Sequence, residues 1–284
     1  RSDPTLALAP IAELARKLEY AEQNTELRLL PTPALKALVD SGRSALPAAV
    51  VLGAKGAGKT YAWGQMVIAG TWRKFASEVG EGRVASDARF FPLLSPSYVN
   101  LELGAKVTES ELLVRGLLGT AHLEVMSAAQ LRDELAEVEG NGDGLTFWCT
   151  AIARRLGIPA SDLRSLIAAL GAKNASICLV VDGLEDAFQI APGEQLAERQ
   201  RRRLRALLTD FTNAVRDLRS PQLGIITYLR RDVAQAAIPQ NFGQFDALYK
   251  TFALNWTPTE ALRLVAWLLE QAGVQKNQEL NSAP

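Results

Sequence analysis

The 284 residues are 48% hydrophobic and 22% charged, with 31 basic and 31 acidic side chains and zero formal net charge. That length holds one large or two small domains on the rule of roughly 150 residues each, with enough apolar content for a sizeable core. Zero net charge excludes a global attraction to nucleic acid, leaving only a local basic patch. Two cysteines (Cys149, Cys178) and a single histidine (His122) cannot assemble a zinc cluster. The cysteines read as small buried apolar residues, and His122 as a partly exposed surface residue.

The chain opens Arg1-Ser2-Asp3-Pro4 with neither a methionine nor a continuous apolar stretch. It reads as an excised or processed chain without a signal peptide, and no apolar run reaches the ~18 residues of a membrane span. Residues 5–46 carry leucines at helical spacing, interrupted by Pro31 and Pro33. The run Leu46 to Leu52 is apolar and ends in glycine, as a buried parallel strand does. A helix is predicted over Tyr61 to Ala69, ended by Gly70. Arg89 to Leu94 reads as a strand near a sheet edge, because Pro92 removes one ladder donor.

Helices are predicted over 109–140 and 145–172, with the glycine-rich 140–144 as the loop between them. Ile177 to Val181 is another buried strand, 194–218 a long basic helix, Leu223 to Leu229 a strand, and Thr251 to Leu254 a candidate last strand. Thr257-Pro258-Thr259-Glu260 then opens a helix with a capping box, running to Gly273. Strands alternating with helices predict an α/β fold: a three-layer α/β/α sandwich with a mostly parallel five-stranded sheet. The domain reading is a helical N-terminal segment (1–45), a nucleotide-binding core (46–255) and the start of a C-terminal helical lid (256–284). Trp256, Leu264, Trp267 and Leu268 are assigned to seating that lid.

The strongest motif is Gly53-Ala54-Lys55-Gly56-Ala57-Gly58-Lys59-Thr60, a full match to G-x-x-x-x-G-K-[ST] between an apolar strand and a helix. Glycines let successive N–H groups curl toward phosphate oxygens, and the helix start adds its positive end. Lys59 is expected to bridge the β- and γ-phosphates and Thr60 to ligate Mg²⁺; Tyr61, next in sequence, joins the nucleotide-binding set. A carboxylate at the end of a neighbouring strand completes such a site, and Asp182 follows the strand at 177–181. Asp182 is the second expected Mg²⁺ partner, with Glu185 or Asp186 orienting the attacking water. Arg230, or else Arg231, ends the strand at 223–229. Resemblance to the STAND and AAA-like ATPases, whose strand beside the aspartate strand ends in a γ-phosphate sensor, implies that role, which suits a guanidinium because it is always charged and bonds phosphate through two N–H groups.

Asp182-Gly183-Leu184-Glu185-Asp186 resembles the extended acidic motif of the STAND class of P-loop ATPases, which includes NACHT proteins and is akin to AAA-like and other ASCE ATPases. The order Glu185-Asp186 is the reverse of that motif's, so either acid fits the catalytic role. The resemblance spans 46–270 loosely. It implies a cytoplasmic, Mg²⁺-dependent ATPase with an extra strand in the sheet, whose ATP binding and hydrolysis switch its conformation or assembly in bacterial signalling or defence. Implied partners are a second copy of the chain or attached effector and sensor domains, with no membrane.

Two alternatives stay open. A DNA-handling initiator, loader or transposition-helper ATPase would use the basic stretch Arg199 to Arg205, which otherwise reads as a solvated helix face paired with Glu194, Glu198 and Asp210. A small-molecule kinase would need a phosphate-binding lid that the sequence does not supply. No guanine-reading motif is present, which favours ATP over GTP.

Overall fold

A computed structural model of the chain describes residues 29–80, 84–137, 143–188 and 197–271. In chain order these form α1 (Pro33–Ser41), β1 (Ala48–Gly53), α2 (Lys59–Ala69), α3 (Trp72–Glu78), β2 (Arg89–Leu94), α4 (Leu101–Leu118), α5 (Ala128–Glu137), α6 (Gly144–Leu156), α7 (Leu163–Ala172), β3 (Ile177–Val181) and α8 (Leu184–Phe188). There follow α9 (Glu198–Ala206), a π-turn (Leu207–Phe211), α10 (Thr212–Leu218), β4 (Leu223–Arg230), α11 (Arg231–Ala237), α12 (Phe242–Tyr249), a 3₁₀ turn (Lys250–Phe252) and α13 (Pro258–Gln271).

The four strands form one all-parallel sheet in the order β1-β4-β3-β2. Each is an unbroken apolar run because both of its faces are covered. Alternate residues divide between two cores. Val50, Leu179 and Ile225 face one core, with Trp148, Phe211 and Phe245. Val51, Val180 and Tyr228 face the other, with Trp63, Trp72 and Phe75. Helices therefore cover both faces of the sheet. β2, with Pro92, lies at an edge, where a strand tolerates a missing donor.

Three predicted elements differ. Among the described residues the sheet has four strands, and the candidate at 251–254 is not a fifth: Lys250–Phe252 is a 3₁₀ turn, and residue 254 makes only an isolated bridge to Gly53, with its N–H on the Leu52 carbonyl at 2.8 Å. The segment read as one helix over 109–140 is two helices, because Gly119 closes α4 in the left-handed region and Met126 bridges to Leu94. Gly157 likewise divides 145–172 into α6 and α7, and Asp162 caps the second with a reciprocal Ser165 box. The basic helix is present over 198–218 but contains the π-turn. Thr257 and Glu260 form the predicted capping box, Glu260 Oε2 accepting from Thr257 N at 3.0 Å and Thr257 Oγ1 from Glu260 N at 3.3 Å. The helical readings before residue 29, the start of the basic helix at 194–196 and the stop at Gly273 lie outside the described residues.

Gly224 fixes how closely the β1 entry approaches β4. A Cβ there would meet Leu46 Cβ at 2.8 Å and Pro47 O at 2.9 Å, and Pro47 O accepts the Ile225 N–H. Gly224→Ala should therefore overpack this junction and destabilise the chain by about 1–3 kcal/mol. The midpoint of urea unfolding reads this, and an unchanged midpoint would show that the junction yields freely.

Candidate functional site: the glycine loop at the carboxyl end of the sheet

Parallel topology brings the ends of β1, β3 and β4 to one edge, where ligands of open α/β sheets bind. Gly53 is in register with Arg230, so the loop leaving β1 starts beside the residue that ends β4. The strand inserted between β1 and β3 is β4; the strand at 89–94, which precedes β3 in sequence, lies beyond it at the edge.

Within the loop, Gly56 and Gly58 have φ of 79° and 89°, the left-handed region that favours glycine. A Cβ at either would meet nothing within 4 Å, so both backbones face open space. Ala57 N–H bonds back to Ala54 O at 3.2 Å, which tightens the curl. Gly58 caps α2, and Ala62 N–H to Gly58 O is the helix's first bond. The N–H groups of Lys59, Thr60 and Tyr61 occupy the first turn, where a helix supplies no acceptor and the macrodipole is positive. Lys59 is 8% exposed, and its ammonium donates to the Gly53 and Ala54 carbonyls at 3.3 and 2.9 Å. Burial lowers the Lys59 pKa, against the opposing pull of Glu185 and Asp182.

Asp182 is 2% exposed at the end of β3. The Thr60 hydroxyl and the Gly183 N–H act on its carboxylate to favour the charged form, while Oδ2 is buried without a partner. Burial first, and then the negative Glu185, push its pKa up to about 7. Gly183 turns away with φ of 87°, close against Pro96, and α8 begins at Leu184. Glu185 Oε1 accepts the Arg230 backbone N–H at 2.9 Å, tying this acid to the end of β4. Asp186 points elsewhere: its Oδ2 accepts the Ser97 N–H at 3.3 Å, and its carbonyl accepts from Arg132.

The two arginines also separate. Arg230 contributes to the field at Lys59, and its guanidinium is paired with Asp232, through Nε to Oδ1 at 3.1 Å and a second Nη2 bond. Arg231 pairs with Asp246 at 2.7 Å and lies over the Phe242 ring. Of the predicted residues, the structure thus gathers Gly53 to Thr60, Asp182, Glu185 and Arg230, and directs Asp186 and Arg231 to other partners.

A cavity of about 280 Å³ adjoins the loop, walled by Leu35, Gly58, Tyr61, Leu254, Trp256 and Trp267. Sequence reasoning assigns Trp256 and Trp267 to seating a lid and does not anticipate this cavity. Its walls come from both ends of the described chain, and no local spacing joins them. α13 packs through Trp267 and Leu268 against Leu30.

In the basic stretch, Arg201 and Arg202 pair with Glu198. Arg203 is buried, donates to the Glu134 and Leu135 carbonyls and lies 4.1 Å from the Phe147 ring centre. Cys149 and Cys178 are free and buried, and His122 is exposed. Among the described residues, no helix is long and apolar enough to cross a membrane.

No family model matches the chain, and neither the curated proteins nor the solved structures yield a match. The functional reading therefore rests on the site's own residues.

An unfolded Asp loses its proton near pH ~4, whereas folded Asp182 keeps it to about pH 7. The folded state binds the proton more tightly, so this contribution to stability is complete below pH ~4 and is lost as pH rises through 7. Asp182→Asn stays neutral throughout. In metal-free buffer its melting temperature relative to the parent should rise from about pH 5 to about pH 8. A pH-independent difference would contradict the burial of an ionisable carboxylate.

Proposed function

We propose that the chain is a P-loop ATPase, binding Mg·ATP at residues 53–60 and hydrolysing it to drive a conformational or assembly switch. The reading is carried by one observation: two left-handed glycines and a helix start curl beside a buried carboxylate, Asp182, on which Thr60 and Lys59 of that helix start both act. Backbone amides and a lysine suit a polyphosphate. The unpartnered Asp182 oxygen and the Thr60 hydroxyl are hard donors that suit Mg²⁺. When bound, the metal would neutralise charge on the phosphate oxygens.

The chain's own groups divide the remaining work. Lys59 would exchange its two carbonyl partners for phosphate oxygens. Glu185 would orient a water and accept its proton as the water oxygen attacks the terminal phosphorus, releasing ADP and phosphate. Arg230 would leave Asp232 for the terminal phosphate. Such an exposed pair is worth only ~0–1 kcal/mol, so the exchange is inexpensive. Because Glu185 is bonded to the Arg230 backbone, movement of the sensor would be felt by the acid. The apolar cavity beside Gly58 and Tyr61 suits the purine, with Trp256 and Trp267 as stacking surfaces. α13 forms one wall, so the base would bring the lid and the core together.

The DNA-handling alternative is not favoured, since Arg203 is buried against the Glu134 and Leu135 carbonyls and the remaining basic surface spans only a short part of one helix. The acidic motif, with Glu185-Asp186 in reverse order, and the arginine after β4 resemble those of the STAND-like switch ATPases.

Lys59→Ala should abolish ATP turnover, and unchanged phosphate release would sink the assignment. Glu185→Gln should keep nucleotide binding while kcat falls roughly 10²–10⁴-fold. Asp186→Asn and Arg231→Ala should change kcat only by about twofold, since neither side chain faces the loop. Steady-state phosphate release combined with fluorescent-nucleotide titration separates these outcomes. Trp256→Ala should raise the KM for ATP with little change in kcat, as removal of uniform binding does. A kcat loss at constant KM would place Trp256 outside the base site.

A further inference from the structure

A second cleft lies apart from the glycine loop, between α9 and the connection Ala237–Asn241 that joins α11 to α12. Its volume is about 180 Å³, and Arg201, Arg202 and Arg205 line it with Gln240 and Asn241. Among the described residues, Glu198 is the one carboxylate in the lining. It accepts from Arg202 Nε at 3.0 Å and also from Arg201. Three guanidinium groups against one carboxylate leave the cleft with a net charge of plus two.

Arg205 is exposed and pairs with no carboxylate among the described residues. Arg201 and Arg202 share a single, half-exposed acid, an arrangement that solvent screens and a better anion can displace. Asn241 is the N-cap of α12 but makes no side-chain cap bond, so its amide is not committed to the helix. A guanidinium offers forked donors matched to phosphate oxygens, and three of them converge here with two carboxamides.

From this convergence we infer a second anion site, one that takes a small phosphate-bearing ligand of about diphosphate size. The volume accommodates such a group, and the basic surface is confined to about one and a half turns of one helix. A nucleic-acid strand needs a longer basic track with aromatic platforms, and the cleft lining contains no aromatic residue. None of the residues proposed for Mg·ATP is shared with it, so the site stands or falls independently of the ATPase reading.

The test is calorimetric titration of the full chain with inorganic pyrophosphate, and separately with ribose 5-phosphate, at low salt. The variants are Arg202→Ala/Arg205→Ala, both at exposed positions, and Lys59→Ala, which reports on the glycine loop. The arginine double variant should lose one equivalent of pyrophosphate, or bind it at least about tenfold more weakly, with unchanged thermal unfolding; Lys59→Ala should retain that equivalent. Glu198→Gln, which frees two guanidinium groups, should tighten it. Parallel loss with ribose 5-phosphate would identify phosphorylated small molecules as the source, and loss with pyrophosphate alone would identify the free inorganic anion. Pyrophosphate binding that is the same in the double variant and the parent overturns the site. A single-stranded oligonucleotide bound more tightly than either probe, through the same arginines, overturns the small-ligand assignment in favour of a nucleic-acid backbone.

Discussion

A carboxylate held at 2% exposure at the end of an apolar strand constrains everything around Asp182. Removing an ionised group from water is costly unless it is paired and hydrogen-bonded, and here the pairing is partial. The Thr60 hydroxyl, the Gly183 N–H and Lys59 favour its charged form, yet burial outweighs them and one oxygen has no partner. A chain shaped only for stability would place an apolar residue or a fully bonded amide there. Thr60 and Lys59, both in the first turn of α2, act on this carboxylate, which brings the glycine loop and Asp182 into one electrostatic neighbourhood.

Register then turns the site into a connected device. Because β4 lies between β1 and β3, Gly53 and Arg230 end side by side, and Glu185 reaches back to the Arg230 backbone. The glycine loop, Glu185 and Arg230 are therefore linked by strand pairing and one 2.9 Å bond. Gly183 makes the link compact. Its left-handed turn lets α8 start immediately after Asp182, and the close approach of Pro96 leaves no room for a side chain. A displacement of the Arg230 backbone would be felt by the Glu185 side chain through this bond, as small local shifts are transmitted in packed proteins.

The parts of this arrangement legible in the sequence are those encoded contiguously. β1, β3 and β4 read clearly because strands buried on both faces are continuous apolar runs closed by glycine, aspartate or arginine. The phosphate loop reads clearly because each of its demands, positive φ at Gly56 and Gly58 and a helix start at Lys59, falls on adjacent residues. The fifth strand misleads because Thr251 to Leu254 has strand-like composition but only a single ladder bond at the sheet's β1 edge. The false helix over 109–140 arises because Leu123 and Met126 are buried and continue an apolar spacing, yet they cross back to β2 as a loop. The choices between Glu185 and Asp186, and between Arg230 and Arg231, depend on which way neighbouring side chains leave a turn. Sequence order does not encode that. The cavity beside Tyr61 is less legible still, since its walls join α1, α2 and α13 through tertiary packing.

Among the described residues, the charged side chains at the two sites and those inside the helical layer differ in how firmly they are held. Arg155 and Glu134 are about nine-tenths buried at their side chains, and Arg203 is sealed against carbonyls and the Phe147 ring. Breaking such a buried arrangement costs ~3–5 kcal/mol, because it strands a charge in apolar surroundings. These groups are therefore fixed structure. Arg230 with Asp232, and Arg201 and Arg202 with Glu198, are half-exposed and weakly held. Solvent already competes for them, so a phosphate oxygen can replace the carboxylate at little cost. Zero net charge thus conceals an uneven distribution: arginines consumed inside the helical layer, and a few at its margins whose present partners are easily exchanged.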